Sequence, residues 1–218
     1  LAQLQTAFDQ SRDHLDDLPN QDDAFISLAE HPNIFPIAHT IISDEIQLRS
    51  LTGFIRPPDS AGRGWHQEVA GLLGVHHALS TLCIQVFIHL DDAPKNGACL
   101  MAVPGSHRFK SYLPMPDITH IQDMPHAVKL PAQAGTVTIL HGNLYQAHTR
   151  NQSNTSQRFL NLTYVQCWMR HALPKLSPHT VERIRESVNL CQLFAVRDLS
   201  SAPGYWSGQL ENYPEATG

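Results

Sequence analysis

Short β-rich runs separated by glycine and proline turns, with helical periodicity confined to the two ends, most constrain what this 218-residue chain can fold into. Residues 82–90 are dense in β-formers, and strand alternation puts Cys83, Gln85, Phe87 and His89 on one face and Ile84, Val86 and Ile88 on the other. Further strands are predicted over 45–56, 136–140 and 158–165. The Pro/Gly-rich stretch 57–64 reads as a loop, suited to be a lid or mobile wall. Residues 1–31 read as helical, with Leu1, Leu4, Ala7, Phe8 and Ser11 at helical spacing. Leu18-Pro19-Asn20 breaks that run, and Asp22 or Asp23 can cap a second helix through Leu28. Residues 174–196 read as one C-terminal helix whose apolar positions are Val181, Ile184, Val188, Cys191 and Leu193. Strands of this kind between end helices imply a mainly β domain, an antiparallel sandwich or jelly roll with packed helices. The length fits a single domain over 1–218, without repeats or linkers.

Charge and cysteine usage narrow the function. A net charge of −5 without a basic block argues against nucleic acid as a partner. No apolar run approaches the roughly 18 residues needed to span a membrane. The chain starts Leu1-Ala2-Gln3, with neither an initiator Met nor a signal peptide, so some N-terminal sequence is expected to be missing; the expected location is cytoplasmic. Cys83, Cys99, Cys167 and Cys191 lack C-x-x-C spacing, which disfavours a zinc site or redox pair and favours reduced thiols. The acceptor-like triplets beginning at Asn151, Asn154 and Asn161 read as chance without a secretory signal.

The chemistry concentrates in His66-Gln67-Glu68, followed far downstream by His148 and then Arg158. Two histidines and a carboxylate form a facial ligand set for Fe(II). Residues i and i+2 of a strand point the same way, so His66 and Glu68 can reach one ion together. A cation such as Arg158 can grip the far carboxylate of a dicarboxylic co-substrate. Alternation places Arg158 with Leu160, Leu162 and Tyr164 on an apolar face, where an internal salt bridge is the alternative role. An H-x-E triplet is weak evidence by itself in a chain with 14 histidines. Competing sites are thin. His107 belongs to a Pro-Gly-Ser-His turn, Asp91-Asp92 lacks calcium-loop spacing and more simply holds a turn, and His76-His77 diverge as neighbours. No G-x-S-x-G nucleophile motif occurs.

The surrounding text adds specificity. Gly64-Trp65-His66-Gln67-Glu68 is followed by Leu90-Asp91-Asp92-Ala93, Asn96-Gly97-Ala98-Cys99-Leu100 and Val103-Pro104-Gly105-Ser106-His107-Arg108. Gly135-Thr136-Val137 and His148-Thr149-Arg150-Asn151-Gln152-Ser153 come next, then Arg158. In this order the motifs, over about residues 45–165, resemble the phytanoyl-CoA dioxygenase-like family of Fe(II)/2-oxoglutarate oxygenases. The family pattern runs W-H-Q-D, L-D-D-A, N-G-C-L, V-P-G-S-H-R, G-D-hydrophobic, H-x-x-x-N-x-S and R. Here Glu68 replaces the usual Asp, Asn151 comes early after His148, and Arg150 stands where a small hydroxyl residue is usual.

The resemblance implies a double-stranded β-helix, cupin-like, with its core over about 45–168. It implies iron held by His66, Glu68 and His148, with His141 set aside on family spacing. It further implies 2-oxoglutarate held by Arg158, dioxygen as co-substrate, and ascorbate as a supporting reductant. Gln85 either touches the co-substrate from inside the barrel or caps a polar edge. Glu68 favours hydroxylation over halogenation, since halogenases of this type carry Ala or Gly there. The expected substrate is a small organic molecule, with the oligomeric state open, and relatives usually carry another β element before this start. The rival expectation is a non-catalytic or zinc-dependent cupin-like barrel.

Overall fold

The computed structural model describes residues 1–69, 81–108 and 116–196. Among them eight strands run in chain order: β1 (Ile46–Arg56), β2 (Arg63–His66), β3 (Cys83–His89), β4 (Leu100–Ala102), β5 (Val128–Leu130), β6 (Val137–His141), β7 (Gln146–His148) and β8 (Gln157–Gln166). They form two four-stranded sheets, ordered β1-β8-β3-β6 and β2-β7-β4-β5, with antiparallel pairing throughout. This is the double-stranded β-helix, in which each sheet draws strands from both halves of the chain.

The two faces of the larger sheet have different fates. Phe87, Leu140 and Phe159 meet Leu100, Ala102 and Leu144 between the sheets. Ile84, Val86, Ile88, Leu160, Leu162 and Tyr164 lie on the opposite face, in one apolar cluster with residues of the helices. Those helices are α1 (Ala2–Gln10), α2 (Asp23–Ala29), α3 (Phe35–Ile42), α4 (Pro178–Ile184) and α5 (Val188–Leu193). The Tyr164 hydroxyl donates to the Ala29 carbonyl at 2.8 Å, tying the sheet to the end of α2. Gly53 lets α1 approach, because a Cβ there would sit 2.7 Å from the Phe8 ring. Both faces of β3 are therefore covered, so all its residues are buried, and only alternation tells the faces apart.

Three segments differ from the sequence reading. A helix over Phe35–Ile42 was not expected; Pro36 sits in its first turn, where proline's missing N–H costs nothing. The C-terminal segment is two short helices rather than one. Ser187 interrupts it by capping α5, its Oγ accepting from the Leu190 N–H at 3.4 Å. The break rephases the face, leaving Val188 86% exposed. The loop before β2 is pinned rather than free: Asp59 N–H donates to Asn151 O at 2.8 Å, and Asn151 N–H to Ser60 O at 3.1 Å. Asp22 caps α2, accepting from the Ala24 N–H at 2.7 Å, as anticipated. Among the described residues no helix is long and apolar enough to cross a membrane.

Candidate active site

The smaller sheet brings two of the sequence-predicted ligands together. β2 pairs with β7 so that His66 lies opposite Gln146 and Arg63 opposite His148, with an irregularity between. Gln146 and His148 share a side of β7, and both face the space between the sheets. Gln146 Nε2 donates to Gln85 Oε1 on β3, and the His148 ring meets Phe87 edge-on at 5.6 Å and stacks on Phe159 at 5.6 Å. Gly62 allows this closure, since a Cβ there would lie 2.3 Å from the His148 carbonyl.

Both imidazoles are held neutral. Burial pulls His148 down to about 3, and the positive charges of Arg56, His66, Arg63 and His89 add to that. His66 is also lowered, chiefly by burial, against the opposing effect of its Gly64 contact. Its Nδ1 lies 2.8 Å from the Gly64 carbonyl; donation there leaves Nε2 with a free lone pair.

Glu68 is less simply placed. β2 ends at His66 and Glu68 begins a helical turn, so strand alternation does not extend to it. Its charge acts on Cys83, whose thiol is pushed up first by burial and then by Glu68. Among the described residues no three His, Cys, Asp or Glu side chains are gathered closely enough to hold a metal ion.

Gln85 is 3% exposed and lines the inter-sheet space, bonded to Gln146, instead of capping an edge. His141 has both ring nitrogens engaged: Nδ1 accepts from Asn143 N–H at 3.0 Å, and Nε2 lies 3.1 Å from Thr81 Oγ1. Its ring stands 5.0 Å from that of His107. Asp92 holds a turn, accepting from Ala134 N–H at 2.8 Å. His76 and His77 lie outside the described residues.

Arg158 requires a correction. It shares a strand face with Leu160, Leu162 and Tyr164, but that is the face covered by helices. Its Nε and Nη2 bond both oxygens of Asp91, at 2.8 and 2.7 Å, and Nη1 reaches the Asp9 carboxylate at 2.7 Å. Asp91 also accepts the Arg158 backbone N–H at 2.8 Å. The internal salt bridge is the arrangement found, and Arg158 is on the far side of the sheet from His148. Two cations that sequence reasoning passed over lie on this side: Arg56 at the end of β1, opposite Gln157, and Arg63 on β2, opposite His148. The only sequence signal for Arg56 is its alternation with Phe54, and the phase of that alternation depends on the register with β8.

The sequence model of the family described as Phytanoyl-CoA dioxygenase (PhyH) matches residues 2–159. An uncharacterized protein of Mycobacterium tuberculosis is 23% identical over 159 residues, covering 70% of this chain and 55% of its own length. A probable alpha-ketoglutarate-dependent hypophosphite dioxygenase of Stutzerimonas stutzeri is 25% identical over 159 residues, covering 65% of this chain and 53% of its own. The chain thus spans about half the length of these curated relatives. Among solved structures, HygX of Streptomyces hygroscopicus with iron bound superposes with a TM-score of 0.65 at 14% identity, over 78% of each chain. HygX has also been solved with nickel and 2-oxoglutarate bound.

Proposed function

The chain belongs to the phytanoyl-CoA dioxygenase family, and on that premise we propose that it is an Fe(II)- and 2-oxoglutarate-dependent oxygenase acting on a small organic substrate. The observation that supports this reading is the β2–β7 pairing, which sets His66 and His148 on neighbouring strands of one sheet as neutral imidazoles. Neutral imidazole is the form that binds metal. Glu68, two residues beyond His66, is the third ligand in this proposal and completes the facial set. No three donors are gathered among the described residues, so metal binding in this proposal draws the three side chains closer. The donor types fit iron.

Iron bound with 2-oxoglutarate would use dioxygen to oxidise a substrate C–H bond, one oxygen atom going to the substrate and the other to the succinate formed as 2-oxoglutarate loses carbon dioxide. The chain's own residues provide the setting. Gly64 orients the His66 ring through its 2.8 Å contact with Nδ1. Phe87 and Phe159 wall the His148 ring and exclude water from one side of the site. The buried Gln146–Gln85 pair presents polar groups beside it, and the second electron-rich atom, Gln146 Oε1, has no partner among the described residues. We assign to that pair a contact with the bound co-substrate or substrate.

Succinate release from 2-oxoglutarate with Fe(II) and ascorbate tests the reading. His66→Ala and His148→Ala should each abolish it and lower iron content while circular dichroism stays unchanged. Glu68→Asp should retain part of the activity, and Glu68→Gly should lose hydroxylation. Zinc should inhibit. Zinc-supported activity without any 2-oxoglutarate turnover would instead establish the zinc-dependent barrel.

A further inference from the structure

Resting on that oxygenase reading, we propose that Arg56, and not Arg158, is the residue of this chain that anchors the distal carboxylate of 2-oxoglutarate.

The register fixes where Arg56 points. β1 pairs with β8 so that Phe54 lies opposite Phe159 and Arg56 opposite Gln157. Residues directly opposite in an antiparallel pair share a face. Phe159 belongs to the inter-sheet cluster, so Phe54 and Arg56 face the same space. The rings then form a continuous row: Phe54 stacks on Phe159 at 5.0 Å, and Phe159 stacks on His148 at 5.6 Å. Arg56 is the next inward residue on β1 beyond that row. Phe54 faces inward yet is 39% exposed, so the cleft is open to solvent at this point.

Arg56 is a half-buried arginine on the inter-sheet face of β1, and Arg49, at the irregularity farther back on that strand, is engaged with the Arg170 carbonyl. Arg63 lies opposite His148 on β2 but is exposed, whereas Arg56 is half-buried. Arg158 is on the opposite face of β8, saturated by Asp91 and Asp9.

Arg56 is also held and incompletely satisfied. Asn151, fully buried, donates its Nδ2 to the Arg56 carbonyl at 2.8 Å and fixes the end of β1. Arg56 Nη2 donates to the Ala61 carbonyl, while Nε is buried without a partner among the described residues. No carboxylate there forms an ion pair with it. A half-buried guanidinium with an unmet N–H is costly unless an anion arrives to pair with it. A carboxylate is the complement of such a fork.

Anaerobic calorimetry on the Ni(II)-loaded chain tests this with two keto acids, 2-oxoglutarate and 2-oxobutanoate, the latter lacking the distal carboxylate. The wild type should bind 2-oxoglutarate more tightly. Arg56→Ala should weaken 2-oxoglutarate roughly 30-fold or more and leave 2-oxobutanoate unchanged, removing the preference. Arg56→Lys should keep part of the preference, and nickel content should be normal in both. Arg56→Gln serves if the alanine variant fails to fold. Arg158→Ala should bind both keto acids as the wild type does. Wild-type-like 2-oxoglutarate binding by folded Arg56→Ala or Arg56→Gln overturns the assignment while leaving the oxygenase reading intact. A wild-type chain that takes nickel but binds neither keto acid overturns both.

Discussion

Replacing Arg158 separates a structural cation from a co-substrate anchor by measurement. In the fold its side chain is 16% exposed and makes a two-pronged bond to Asp91, itself 25% exposed, with a third contact to the 46% exposed Asp9. Removing one member of a fully buried pair typically costs about 3–5 kcal/mol, because the other charge is stranded. Asp91 is partly hydrated, so the loss here falls lower, and the solvent-screened Asp9 contact adds no more than about 1 kcal/mol. Arg158→Ala should therefore lose about 2–3 kcal/mol in all. At about 2–4 °C per kcal/mol for a chain of this size, the melting temperature should drop by roughly 4–12 °C. Arg158→Met keeps the apolar stem and isolates the charge. A double-mutant cycle with Asp91→Ala should give a coupling of at least about 1 kcal/mol. Calorimetric melting reads the stability, and a 2-oxoglutarate titration of the folded variants reads the co-substrate. An unchanged melting temperature together with a weakened titration would refute this reasoning and return Arg158 to the active site.

Tyr164→Phe should strand the buried Ala29 carbonyl, costing about 1–3 kcal/mol and lowering the melting temperature by roughly 2–12 °C; a loss below the detection limit would show that the 2.8 Å bond carries no net stability. Gly62→Ala places a Cβ 2.3 Å from the His148 carbonyl, so it should loosen the β2–β7 pairing and reduce nickel or iron uptake; full metal occupancy at unchanged affinity would contradict the tight approach. His141 is pulled down to about 4, first by burial and then by the charge of His107. The unfolded chain therefore gains the His141 proton near pH 6.5 while the fold resists it, so this residue's contribution is a loss of stability as pH falls from about 6.5 to about 4. Urea unfolding across that range should show a shallower slope in His141→Gln, and an identical slope would remove His141 from the account.

Much of the fold is carried by local patterning. Alternation in 82–90 sorts Cys83, Gln85, Phe87 and His89 from Ile84, Val86 and Ile88, and the structure keeps that division. Asp22 marks a helix start because its side chain meets an orphan N–H two residues on, a contact any local reading can find. Helix α3 was missed because its Ile-rich turns give no clear polar face, and the C-terminal break because the apolar spacing of Val181, Ile184, Val188 and Cys191 runs on across the Ser187 cap. The order of motifs from Trp65 to Ser153 was enough to indicate the family.

What the sequence by itself determined is the alternation within each strand and the types of donor available: His66, Glu68, His148 and two strand-end arginines. Only the tertiary structure decided which face each alternation turns inward. Alternation defines two sides of a strand but not which is covered by helices and which by the other sheet, because on β8 both are buried. Register with β8 and the packing of α1 supplied that sign, placing Arg158 against Asp91 and Asp9 and Arg56 on the inter-sheet side. A shift of one residue exchanges the two sides of a strand, so the role of an arginine on it follows from pairing across distant segments of the chain and not from its neighbours in sequence.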